Sequence, residues 1–135
     1  MEMINLRLAV YDKVPEDREV VSRVVSEFYE SNNMSAEIHR FFDTDGLVDA
    51  FRHNSYEAIF MYMNSMDEVD AAWVIRKLAP DCTLVIISDN GDYSMEGYRL
   101  EAFDYWLKPL DEEKINKTLE RNHKEKTQGD GSSVL

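Results

Sequence analysis

The chain has 135 residues, 44% of them hydrophobic, with 27 acidic against 15 basic residues and a formal charge of −12. That length suits one globular domain with a single core. The acid excess repels phosphate backbones and anionic lipids, which argues against direct nucleic-acid or membrane binding by this segment.

Along the chain, two kinds of signal alternate. The start, MEMINLRLAV, reads as no secretory signal. INLRLAVY (4–11) is apolar and strand-like. PEDREVVSRVVSEFYESNN (15–33) places Val20, Val21, Val24, Val25, Phe28 and Tyr29 at helical spacing, behind a proline and two acids suited to a helix start. AEIHRFF (36–42) is a weaker strand, and DTDGLVDAFRHN (43–54) opens with capping residues. EAIFMYM (57–63) is a buried strand. Its apolar run from Ala58 to Met63 is too short to cross a bilayer. MDEVDAAWVIRKL (66–78) follows as a helix stopped at Ala79-Pro80. The lone Cys82 can form no internal disulfide and reads as a core thiol in a reducing, cytoplasmic setting. TLVIIS (83–88) is a strand, GDYSMEGYRL (91–100) a short helix weakened by Gly97, AFDYWLK (102–108) the fifth strand, and DEEKINKTLERNHKEK (111–126) a helix with acids first and bases last.

Five apolar strands alternating with five helices predict an α/β fold: a doubly wound five-stranded parallel sheet in a flavodoxin-like, three-layer sandwich. Chemistry in such sheets gathers beyond the carboxyl ends of the strands. This singles out Tyr11 to Lys13, Tyr62 to Asn64, Ser88 to Asn90, and Lys108-Pro109. The domain is expected over 1–124, with 125–135 a linker or disordered tail. His39, His53 and His123 lack ligand spacing, so no metal site is expected.

SDNGDYSMEGYRLEAFDYWLKPLDEEKINKTLER (88–121), with DKVPEDR after the first strand and MDEVDAAWVIRK in the third helix, resembles the CheY-like receiver domain of bacterial response regulators, across roughly residues 5–122. Receivers of LytTR-type transcription regulators are especially similar. The resemblance implies an acidic pair after strand one, a phosphoacceptor aspartate ending strand three, a Ser/Thr after strand four and a lysine before proline after strand five. Ser88 and Lys108 match, and Tyr105 stands at the switch aromatic. The acidic pair is Asp12-Lys13, the acceptor position falls on Tyr62, and the loop through Asn64-Ser65 is shortened by about two residues.

On that correspondence the chain is a degenerate receiver, a pseudo-receiver without enzyme activity or cofactor. A phenol titrating near 10 is neutral at pH 7 and is no carboxylate nucleophile. Asp12, Lys13 and Lys108 together carry +1, a charge expected to reject magnesium. Lys13 is expected to contact Asp12, and Lys108 either pairs with Asp12 or receives an anion. Tyr62 either plugs the pocket or else meets a ligand or is itself modified, and Ser88 is expected to bond backbone. The acids of SMDEVD read as helix-start residues.

The resemblance then implies function through surfaces. These comprise a protein partner or a homodimer built on the fourth helix, fifth strand and fifth helix, with Tyr93, Met95, Tyr98 and Leu100 as candidate contacts, controlling an output domain in transcription. The alternative is a small-molecule sensor using a pocket around Tyr62, Tyr11 and Lys13. A flavodoxin-like enzyme is disfavoured because YDKVPED offers no phosphate loop.

Overall fold

The computed structural model describes the backbone of residues 4–132 and the side chains of residues 4–127. Five strands and five helices alternate: β1 Ile4–Tyr11, α1 Pro15–Ser31, β2 Met34–Phe41, α2 Thr44–His53, β3 Ala58–Tyr62, α3 Met66–Leu78, β4 Thr83–Ser88, α4 Ser94–Arg99, β5 Asp104–Leu107 and α5 Glu112–Ser132. The sheet is wholly parallel, in the order β2-β1-β3-β4-β5.

Period-two alternation with both faces covered explains why the central strands β3 and β4 are almost continuously apolar. Ala58, Phe60, Val85, Ile87 and Trp106 face one side, where Val21, Val24 and Phe28 of α1 and Ile115 and Leu119 of α5 cover them. Ile59, Met61, Leu84 and Ile86 face the other, against Leu47 and Phe51 of α2 and Val69, Ala72 and Ile75 of α3. A central strand buried on both faces has no room for a polar period. Cys82 is buried at the α3–β4 turn, and loss of solvent pushes its thiol up to about 12, so it is protonated at neutral pH.

Local chemistry sets the helix ends. Asp43 accepts a hydrogen bond from the Gly46 amide at the start of α2, and Ser65 accepts one from the Glu68 amide at the start of α3. Helix α4 is shorter than the sequence predicts. Its Gly97 lies against the sheet, and a Cβ there would stand 3.2 Å from Ile86 Cδ1 and 3.3 Å from Tyr105 Cδ2. Helix α5 differs in the opposite sense. It continues to Ser132 through residues expected to form a linker, and Thr127 Oγ1 donates to the carbonyls of His123 and Lys124 within it. Residues 133–135 of that expected tail lie outside the described residues.

A buried network ties β5 to α5. The Trp106 indole N–H donates to Thr118 Oγ1 at 2.9 Å, and the Thr118 hydroxyl meets the Asp104 carboxylate. Burial alone would raise the Asp104 pKa, but its bonds from Thr118 and the Tyr105 amide, with Arg121 at 3.4 Å, hold it below the usual range. A depressed carboxylate stabilises the fold above its unfolded pKa and loses that contribution as pH falls through the folded value. Asp104→Asn should therefore destabilise the domain by about 1–2 kcal/mol at pH 6. In urea titrations followed by tryptophan fluorescence, the gap should close toward pH 3. A gap independent of pH would show that the Asp104 charge contributes nothing.

Candidate functional site

The strand order reverses about β1, so the carboxyl ends of β1 and β3 flank the crevice where open α/β sheets bind ligands. The ladder continues one residue past several strands. Asp12 N donates to Phe41 O, Met63 N to Ile87 O and Lys108 N to Ser88 O. These bonds set Asp12, Tyr62, Ser88 and Lys108 along one edge.

Asp12 is fully buried. Its Oδ1 accepts from the Val14 amide at 3.0 Å and from Lys108 Nζ at 3.1 Å, while Oδ2, shielded from solvent, meets no donor among the described residues. Burial raises the Asp12 pKa, and the bonds from Val14 and Lys108 only partly oppose it. Lys108 also reaches Asp17 Oδ2 at 2.7 Å. Desolvation opposes its charge, but the two carboxylates outweigh it and raise its pKa, so the ammonium is secure at physiological pH. The Lys108–Pro109 peptide is cis.

The Lys108 ammonium also sits over the Tyr62 ring, 4.3 Å from its centroid. The Tyr62 hydroxyl donates to Asp89 Oδ2 at 2.7 Å, and Asn64 Nδ2 approaches the same oxygen at 3.2 Å. Burial, then the Asp89 bond, push the Tyr62 pKa above its ordinary value, so the phenol is neutral. Ser88 is buried, but its hydroxyl donates to Asn64 Oδ1 at 3.2 Å rather than to backbone.

Lys13 turns away from Asp12. Its side chain is 61% exposed, and its carboxylate neighbour is Glu68 at 3.9 Å, which corrects the expected Lys13–Asp12 contact. Glu68 itself is buried. It accepts from the Tyr11 hydroxyl at 2.6 Å, the Asn64 amide at 2.8 Å and the Ser65 hydroxyl at 3.0 Å. Sequence reasoning reads Glu68 only as a helix-start acid. The Ser65-x-x-Glu68 capping-box spacing was the signal that it folds back onto the loop. Tyr11 is fully buried and bound to Glu68, so it lines no open pocket.

Asp17, Glu68 and Asp89 change the charge balance. With Asp12 they set four carboxylates against Lys13 and Lys108, a formal −2 in place of the +1 read from three residues. Magnesium, which the resemblance implies for receivers, still does not fit. Asp12 is already held by an ammonium, Glu68 is engaged by three donors, and the Tyr62 hydroxyl donates elsewhere. Among the described residues no group of three or more metal-ligating side chains comes together.

Tyr105, half-buried beside α4, donates its hydroxyl to Asn90 O at 2.9 Å, on the same loop that Tyr62 holds through Asp89. On α4, Met95 and Tyr98 are exposed and Tyr93 is half-buried. Leu100 is fully buried, which removes it from the candidate contacts: its side chain completes the core under α3.

This parallel sheet, with its strand order, has the fold of response-regulator receiver domains, and its serine and lysine stand at the carboxyl edge. The relationship is to receivers of LytTR-type transcription regulators. The chain is 29% identical over 110 residues to the transcriptional regulatory protein YpdB of Escherichia coli K12, covering 80% of this chain and 45% of that protein. It is 26% identical over 92 residues to the sensory transduction protein LytR of Staphylococcus epidermidis, covering 67% and 36%. The crystal structure of the response regulatory domain of MrkE from Klebsiella pneumoniae superposes with a TM-score of 0.74 at 27% identity, over 86% of this chain and 93% of that one. No family model matches the sequence. The chain spans less than half the length of these two curated relatives. Among the described residues no helix is long and apolar enough to cross a membrane.

Proposed function

We propose that this receiver domain regulates its output without aspartate phosphorylation, as a pseudo-receiver that acts through protein contact or self-association in the cytoplasm. One observation carries the reading. Where the resemblance assigns the acceptor, a neutral phenol is hydrogen-bonded to Asp89 and lies beneath the Lys108 ammonium. Phosphoryl transfer to a receiver needs a carboxylate nucleophile and a metal to neutralise the incoming charge, and this edge supplies neither in usable form. Tyr62 and Lys108 pack on one another between Asp12 and Asp89, which supports a plugged site over a metabolite pocket.

Contact through α4, β5 and α5 is supported by the exposure of Met95, Tyr98 and Leu107. The regulated output is a transcription domain, by analogy with the longer relatives.

Incubation with magnesium and acetyl phosphate should leave the intact mass unchanged. The Tyr62→Asp, Lys13→Asp double variant measures how much the two side chains alone block the chemistry. A stable phosphoryl adduct on the unsubstituted chain would sink the proposal.

A further inference from the structure

Helix α3 carries an outward row that the core does not use. Val69, Ala72 and Ile75 face the sheet, whereas Met66, Asp70, Val74 and Leu78, four residues apart, form a stripe on the opposite side. Met66 is 63% exposed, Leu78 44% and Val74 37%. Beside this stripe a groove of about 640 Å³ runs between α2 and α3, with Val48 and Ala71 among its apolar lining.

Charge in the groove is one-sided. Asp45 and Asp49 from α2 and Asp67 and Asp70 from α3 line it, against the single guanidinium of Arg52. Among the described residues none of these four carboxylates forms an ion pair with lysine or arginine; Asp49 has only His53, at 3.7 Å. Elsewhere some acids have cation partners. Arg23 pairs with Glu27 and Glu112 across α1 and α5, and Arg99 pairs with Glu96 on α4.

We propose that the α2–α3 groove is a docking surface for a cationic amphipathic helix of a partner protein. A helix laid along the groove would set its apolar row on Val74, Leu78 and the groove floor, while its lysines or arginines reach the four aspartates. An excess of acids over cations, next to exposed aliphatics at helical spacing, matches such a segment in both charge and period. An anionic or purely apolar partner would meet repulsion or leave the carboxylates desolvated and unpaired. This surface is separate from α4, β5 and α5 and does not depend on whether the Tyr62 edge accepts a phosphoryl group.

The test uses an 18-residue lysine/leucine peptide patterned as an amphipathic helix and a scramble of identical composition. The patterned peptide should bind at least about tenfold more tightly than the scramble at about 0.15 M salt, where long-range attraction is screened. Amide shifts should centre on residues 44–53 and 66–78. Asp49→Lys with Asp70→Lys, and separately Val74→Ser with Leu78→Ser, should each weaken binding about fivefold or more, while Met95→Ala with Tyr98→Ala leaves it unchanged. Equal binding of the scramble would mean that the overall −12 charge, not the groove, attracts the peptide, and would overturn the proposal. Shifts centred on α4, β5 and α5 would overturn it too.

Discussion

Lys108→Met should destabilise the domain by about 3–5 kcal/mol, the range seen when one partner of a buried ion pair is removed. Asp12 is fully buried, and among the described residues its carboxylate pairs with Lys108 alone, whose own side chain is 14% exposed. Deleting the ammonium strands a carboxylate whose Oδ2 already lacks a donor among the described residues. The loss should depend on pH with a definite sign. The folded pKa of Asp12 is raised, so the penalty for its charge is present above that pKa and disappears as pH falls and the carboxyl takes up a proton. Urea titrations should therefore show the variant recovering stability relative to the parent as pH drops toward 4. Asp12→Asn placed in the Lys108→Met background should restore most of the loss at pH 7. A deficit under about 1 kcal/mol, unaffected by pH, would mean that water reaches Asp12 freely.

Glu68→Ala should have a comparable effect by a different route. It removes the acceptor for the buried Tyr11 hydroxyl, the Asn64 amide and the Ser65 hydroxyl together. A buried donor left unmatched costs about 1–3 kcal/mol, so a total loss of about 3 kcal/mol is expected. Glu68→Gln keeps an acceptor oxygen and should lose about half as much. Lys13→Ala should change stability by less than about 0.5 kcal/mol, because that lysine is largely exposed and 3.9 Å from Glu68. Denaturation midpoints for the three variants check the order. Equal losses for Glu68→Ala and Lys13→Ala would show that the ion pair, rather than the hydrogen bonds, holds the loop.

The layout was legible because strands buried on both faces need continuous apolar runs. Stretches such as AIFMYM (58–63) and TLVIIS (83–88) allow little else. Asp12, Tyr62, Ser88 and Lys108 could be placed at one edge for the same reason: each follows or ends such a run. What the sequence withheld was side-chain reach. Asp17 and Asp89 are ordinary acids in sequence and become neighbours of Lys108 and Tyr62 only through tertiary geometry. Lys13 follows Asp12 directly, yet adjacent residues leaving a strand point to opposite sides, so proximity along the chain misled. Glu68 was half-legible, since its spacing from Ser65 forecasts a cap but not burial. Leu100 was ambiguous because apolar spacing on a six-residue helix does not separate the core side from the outside.

The seating of Gly97 places a ceiling on how firmly α4 can be built. Alanine at that position would favour the helix by about 1 kcal/mol in isolation. Its methyl group, however, would press on Ile86, which has no freedom to retreat, and on the Tyr105 ring, which does. Strengthening the helix would thus come at the expense of the aromatic beside it, and the missing side chain at Gly97 is what leaves that ring its place.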